Sequence, residues 1–257
     1  MSALVQPALA GRYDGYRGDD LANRLGLPFV VAFETIGSTL DVAHALAEQG
    51  AAAGTLVLAN GQSAGRGRLG RSWRSDAGAG IWLTLIERPR NTEALDVLSL
   101  RIGLALAPVL ESFAAEAIGL KWPNDLYAGG RKLAGILIEA RWRDGLPEWA
   151  AIGVGVNVHA PQDEAQAAGL CDGASRIAVL DAMVPALRAA AARIGSLDAG
   201  ELRAYADRDL AAGRRCVEPL AGTVRGVDHA GALLVEPESG GPLAAVRAGS
   251  LVFREDR

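Results

Sequence analysis

Cysteine and histidine are scarce. The 257 residues contain Cys171 and Cys216, far apart and outside any CxxC pattern, and three histidines that do not cluster. That usage fits a reducing cytosol and supports no structural zinc, so no protein-held metal is expected. No apolar run reaches the roughly 18 residues of a membrane span. The amino terminus lacks the charged-then-apolar order of a secretion signal. A cytoplasmic location without membrane contact is expected. There is no excess of positive charge either: the net charge of −4 argues against a general nucleic-acid binder. A GxxxxGK[ST] phosphate loop is also missing.

What is present begins with an ordinary balance: half the residues are hydrophobic and 22% are charged. The length allows one large domain, or one plus a small one. The stretch Gln62–Arg74 then stands out. It carries Gly65, Gly67 and Gly70 with Arg66, Arg68, Arg71 and Arg74, one tryptophan, Trp73, and no acid before Asp76. Glycine permits close backbone approach to a ligand, and arginine offers a planar fork of donors to carboxylate or phosphate. The apolar runs Thr55–Ala59 and Ile81–Ile86 flank it. It reads as a loop between two strands that either closes over an anion or is a solvated connection.

Residues 1–28 read as an irregular arm with a short helix near Asp19–Leu25. Phe29–Phe33 is strand-like. Asp41–Ala47 reads as a helix ending at Gly50, and Ser38 with Asp41 outlines a capping box. Ser38 and Thr39 are thus capping residues or ligand contacts. Thr92–Phe113 carries an apolar stripe at helical spacing, a core face rather than a site. Ile118–Trp122, Lys132–Glu139 and Trp149–Val158 read as strands. Alternation puts Gly153, Gly155 and Asn157 on one face as a flat floor. Pro161–Ala212 is Ala-rich and helical. From Gly213 onward, short strand-like runs and the turn Asp228–Gly231 point to a small barrel-like module.

Five patterns stand in one order: Ser38–Thr39; Gln62-x-x-Gly65–Arg66–Gly67–Arg68-x-Gly70–Arg71-x-Trp73; Lys121–Trp122–Pro123–Asn124–Asp125–Leu126; Arg131–Lys132–Leu133–Ala134–Gly135–Ile136–Leu137–Ile138–Glu139; and Gly153–Val158. Together they closely resemble the biotin–protein ligases. The resemblance implies an α+β fold: a mixed β-sheet with helices on one side, class II synthetase-like, at 29–212, and an SH3-like barrel at 213–257. It implies a two-step reaction in which ATP and biotin give biotinyl-5′-AMP and pyrophosphate. A lysine of the biotin carboxyl carrier protein of acetyl-CoA carboxylase then displaces AMP. Mg²⁺ would come with the ATP phosphates.

On this resemblance Lys132, Arg66 and Arg68 are the catalytic cations. Two unit charges 4 Å apart repel by about 4 kcal/mol at an effective dielectric of 20, so carboxylate and α-phosphate need cations between them. Ser38, Thr39, Gln62, Gly65, Gly67 and Gly135 complete the biotin contacts. Arg71, Trp73, Asn124 and Asn157 join Arg68 on the nucleotide side, Trp73 stacking on adenine or serving as core. Asp125 remains open between metal-water contact, acceptor-lysine handling and a turn bond. His44, His159 and His229 read as peripheral. Leu40 stands where the family usually has Asn, and Leu69 where a second Arg is frequent. Fewer than 30 residues precede the first strand, so a monofunctional form without DNA binding is expected. A homodimer through the sheet is left open. The rival readings are a lipoate or octanoate ligase and a non-catalytic biotin or adenylate sensor.

Overall fold

The computed structural model describes residues 11–89 and 92–256. Residues 1–10 of the expected arm and Arg257 of the expected C-terminal module lie outside the described residues. The elements in chain order are α1 (Gly18–Leu25), β1 (Phe29–Ile36), α2 (Thr39–Glu48), β2 (Thr55–Gln62), β3 (Gly80–Glu87), α3 (Glu93–Glu111), β4 (Ile118–Lys121), β5 (Asp125–Ala128), β6 (Arg131–Arg143), β7 (Leu146–Asn157), α4 (Arg176–Ala191), α5 (Ala199–Ala206), β8 (Arg215–Glu218), β9 (Gly222–Val227), β10 (Leu233–Pro237), β11 (Ala244–Val246) and β12 (Val252–Phe253).

β1 to β7 form one mixed sheet in the order β1-β2-β3-β7-β6-β5-β4. β1 and β2 run parallel, and the other neighbours antiparallel. The central strands are apolar throughout because both faces are covered. On one face, Leu56 and Leu58, Ile81, Leu83 and Leu85, and Ile152, Val154 and Val156 pack against α3 and α4. On the other, Val31, Phe33, Val57 and Ala151 pack against Leu40, Ala43 and Ala47 of α2. Helices therefore lie on both sides, not on one. α2 begins at Ser38, whose Oγ accepts from Leu40 N at 3.3 Å. The expected capping-box partner Asp41 instead pairs with Arg66 at 2.9 Å.

α2 covers β2, β3 and β7 and leaves the same face of β6 and β5 to the loop between β2 and β3. In β6 and β7 the register sets Gly135 opposite Gly155, which makes a flat patch there. The second sheet is antiparallel, ordered β11-β10-β9-β8-β12. Asp228 Oδ1 accepts from Ala230 N and Ala232 N and closes its β9–β10 turn.

Candidate active site

The loop between β2 and β3 is folded rather than loose. Gln62 N donates to Ser75 O, Trp73 N to Gly65 O and Gly67 N to Arg71 O, a short ladder of 2.7–3.0 Å bonds. Arg68–Gly70 forms the tip as a single 3₁₀ turn with Leu69 at φ 56°. Gly65 is required for packing: a Cβ there would stand 2.3 Å from Trp73 O.

Between this loop and the sheet lies a cavity of about 280 Å³. It brings together Ser38, Thr39, Gln62, Arg66, Gly67, Arg68, Arg71, Trp73, Asn124, Lys132 and Gly135. Gly65 and Asn157 do not line it. Asn157 is buried, and its Nδ2 donates to Ala168 O at 3.1 Å and to Lys132 O at 3.4 Å. It braces the backbone of Lys132 instead of facing the cavity, because the chain at 166–168 folds over the end of β7.

One end of the cavity is a neutral polar network. Thr84 Oγ1 donates to Thr39 Oγ1 at 2.8 Å. Gln62 Oε1 accepts from Thr39 N at 2.8 Å and Thr39 Oγ1 at 3.1 Å, and Gln62 Nε2 donates to Ser75 Oγ at 2.8 Å. These bonds hold the groups in place. They leave the Ser38 hydroxyl hydrogen and the second Gln62 amide hydrogen uncommitted among the described residues.

The other end is cationic. Lys132 Nζ lies 2.8 Å from Asp125 Oδ1. Its main chain is pinned by Lys132 N to Gln166 O and Ala168 N to Lys132 O, opposite an irregular register in β5 that re-aims the strand. Arg68 Nη1 donates to Asn124 Oδ1 at 3.4 Å, and Asn124 Nδ2 donates to Ile136 O at 2.7 Å. Burial pulls the Arg68 guanidinium below its ordinary value, with Asp125 opposing and Arg71 adding to the shift. Arg71 Nη2 reaches Ser250 Oγ at 3.3 Å.

Arg66 stands at the rim, 2.9 Å from Asp41 and 3.3 Å from Glu139. Glu139 Oε2 in turn lies 2.9 Å from His44 Nε2. His44 does not line the cavity, but it connects through Glu139 to Arg66, which does.

Trp73 occupies the glycine floor. A Cβ on Gly155 would stand 2.6 Å from its Nε1, and one on Gly135 3.2 Å from its ring. Lys132 Nζ lies 5.1 Å from the ring centroid. The Trp73 N–H is buried with no hydrogen-bond acceptor among the described residues. The floor expected under a ligand's apolar body is thus covered by this indole. Gly153 on the same face is filled by Leu40, 3.4 Å from a built Cβ.

The cavity also takes in Lys121, Tyr127, Trp82, Ser250 and Leu251. Lys121 sits in a motif already singled out. Ser250 and Leu251 follow the strands of the second sheet and carry no local signal of a site. Among the described residues no group of three or more His, Cys, Asp or Glu could hold a metal ion, and no helix is long and apolar enough to cross a membrane.

The bifunctional ligase/repressor BirA of Bacillus spizizenii is 39% identical over 132 residues, covering 51% of this chain and 41% of that protein. The biotin–[acetyl-CoA-carboxylase] ligase of Mycobacterium tuberculosis is 43% identical over 117 residues, covering 43% of this chain and 42% of its own. The chain thus matches less than half the length of these relatives. The biotin protein ligase of Aquifex aeolicus, solved with biotin and ATP, has the same fold, with a TM-score of 0.73 at 24% identity over 88% of this chain and 98% of that one. The Biotin/lipoate A/B protein ligase family model matches residues 32–157, which span β1 to β7 and the cavity's glycine–arginine loop. Residues 32–157 are thus similar to the Biotin/lipoate A/B protein ligase family.

Proposed function

We propose that this protein is an ATP-dependent biotin–[biotin carboxyl carrier protein] ligase, with residues 29–212 as the catalytic domain and 213–257 as an SH3-like module. The observation that carries this reading is the polarity of one cavity: a fixed neutral network at Thr39 and Gln62, and Arg68 and Lys132 at the other end. That order matches a ligand with a polar neutral head and a carboxylate tail. The names of the relatives point the same way.

In this reading Ser38, Thr39 and Gln62 hold the ureido ring, which offers N–H donors and a carbonyl. The tail passes over Gly135 toward Lys132, with Trp73 displaced from the floor to meet the adenine. A biotin carboxylate oxygen attacks the α-phosphorus of ATP, the P–O bond to pyrophosphate breaks, and pyrophosphate leaves. Arg66, Arg68 and Lys132 offset the charge that gathers there. Asp125 holds the Lys132 ammonium in line. In the second step a neutral acceptor lysine attacks the acyl carbon, the C–O bond to AMP breaks, and AMP and one proton are released. Mg²⁺ enters with the triphosphate, whose oxygens supply ligands. Arg71 and Asn124 lie on the nucleotide side. The reaction belongs to the cytoplasm.

The test supplies ATP, Mg²⁺, a carrier domain and biotin, lipoate or octanoate in turn. Biotin-dependent pyrophosphate release and carrier labelling are expected. Release with lipoate or octanoate but not biotin would make the chain a ligase of the other branch. Biotin binding without release would make it a sensor.

A further inference from the structure

The family chemistry above uses Arg66 but leaves unexplained what holds it. Arg66 is half-exposed at the rim, where a long cationic side chain is free to point into water. Asp41, at 2.9 Å, is the nearer partner of Arg66, and three other residues form a chain that also reaches it. Trp149 is buried in the core between α2 and the sheet. Its Nε1–H donates to His44 Nδ1 at 3.0 Å. An indole N–H can only donate, so His44 Nδ1 is the acceptor and its ring proton sits on Nε2. That N–H faces Glu139 Oε2 at 2.9 Å, and the same oxygen accepts from Arg66 Nη2 at 3.3 Å. Four side chains from β7, α2, β6 and the loop thus form one line of hydrogen bonds from the core to Arg66, whose sense reverses at Glu139 Oε2, the acceptor for both His44 and Arg66.

We infer that His44 is a positioning residue: it fixes the Glu139 carboxylate so that Glu139 and Asp41 hold Arg66 at the cavity rim, where it meets the carboxylate or phosphate of the ligand. The part that assigns Arg66 to that anion rests on the ligase reading; the anchoring of the loop does not. The geometry distinguishes the two ends of the imidazole. The bond that matters for Arg66 is the one to Glu139, while the bond to Trp149 sets the tautomer, as outer hydrogen bonds do for other histidines.

The experiment compares His44→Ala, His44→Gln, His44→Asn and Glu139→Gln in two assays. Trypsin cleavage after Arg66 and Arg68 reads loop anchoring without any need for activity. His44→Ala and Glu139→Gln should be cut several-fold faster than the starting protein, at unfolding temperatures within a few degrees of it. In biotin-dependent pyrophosphate release, His44→Ala should raise KM for biotin about tenfold, the factor of one charge-assisted hydrogen bond, with a smaller effect on kcat. His44→Gln, whose amide reaches Glu139, should restore both readouts; His44→Asn, which reaches only toward Trp149, should not. In an Arg66→Ala background, His44→Ala should add nothing further. Unchanged cleavage and KM in His44→Ala, or full additivity with Arg66→Ala, would overturn the assignment. If the protein releases no pyrophosphate with biotin, the ligase reading fails, and the trypsin series still decides whether His44 anchors the loop.

Discussion

The indole of Trp73 lies on Gly155 so closely that a Cβ at 155 would stand 2.6 Å from its Nε1. The neighbouring Gly135 faces the same ring at 3.2 Å. Room for either Trp73 or a ligand on this floor depends on two missing side chains. Gly155→Ala is therefore expected to destabilise the free protein by about 1–3 kcal/mol of overpacking. Gly153→Ala, whose nearest neighbours stand at 3.2–3.4 Å, should have a clearly smaller effect. Urea unfolding of both variants checks the order.

Lys132 is held by Asp125 at 2.8 Å, in a pair that is partly open to water. Such a pair contributes only about 0–1 kcal/mol to stability. In the proposed reaction its worth would lie in aiming a cation where negative charge develops. Lys132→Ala should lower the rate of adenylate formation about 10²–10³-fold, the scale seen when one preorganised donor is removed. The melting temperature should stay within a few degrees of the starting protein. Single-turnover pyrophosphate release together with thermal unfolding separates the two effects.

Much of this site can be read along the chain, and what cannot depends on register and distance. The strands β2, β3 and β7 announce themselves as apolar runs because both faces are buried, and Ser38 as a helix start because its hydroxyl caps α2. The loop is visible from its glycines and arginines. The resting place of Trp73 is not visible, since it depends on β6 and β7 pairing Gly135 with Gly155. Asn157 follows the alternation of β7, but the fold of 166–168 over the strand end consumes its amide. Arg101 sits inside an apolar helical stripe and pairs at 2.7 Å with Glu201, 100 residues on. No local pattern encodes that partner. His44 looked idle for the same reason: Glu139 and Trp149 come from other strands.

Glu111 at the end of α3 accepts from Arg208 Nη1 at 2.5 Å and from Ile118 N at 2.8 Å. The Arg208 bonds, against the opposing pull of burial and with help from the Ile118 N–H, hold its carboxyl below the ordinary value of 4.5. A depressed folded value means that the unfolded chain takes up the proton first. The stability from this group is complete above the unfolded value and is lost as pH falls through the folded one. Urea unfolding between pH 3 and 7 should show a falling acid limb, and Glu111→Gln should flatten part of it while leaving the slope above pH 5 unchanged.

Leu40 stands at a place where its two surroundings disagree. It is buried with Val31, Phe33 and Ala43 between α2 and the sheet, yet it also lines the cavity. Leu40→Asn should destabilise the free protein by about 2–4 kcal/mol, because core volume is lost and an amide is left short of partners. A biotin ring bound at Ser38 and Thr39 would give that amide a partner. Ligand that binds only the folded form raises stability according to its affinity, so part of the loss returns on binding. Saturating biotin should thus raise the melting temperature of Leu40→Asn by more than it raises that of the starting protein, despite the lower baseline. An equal or smaller shift would mean that residue 40 serves the packing of α2 alone.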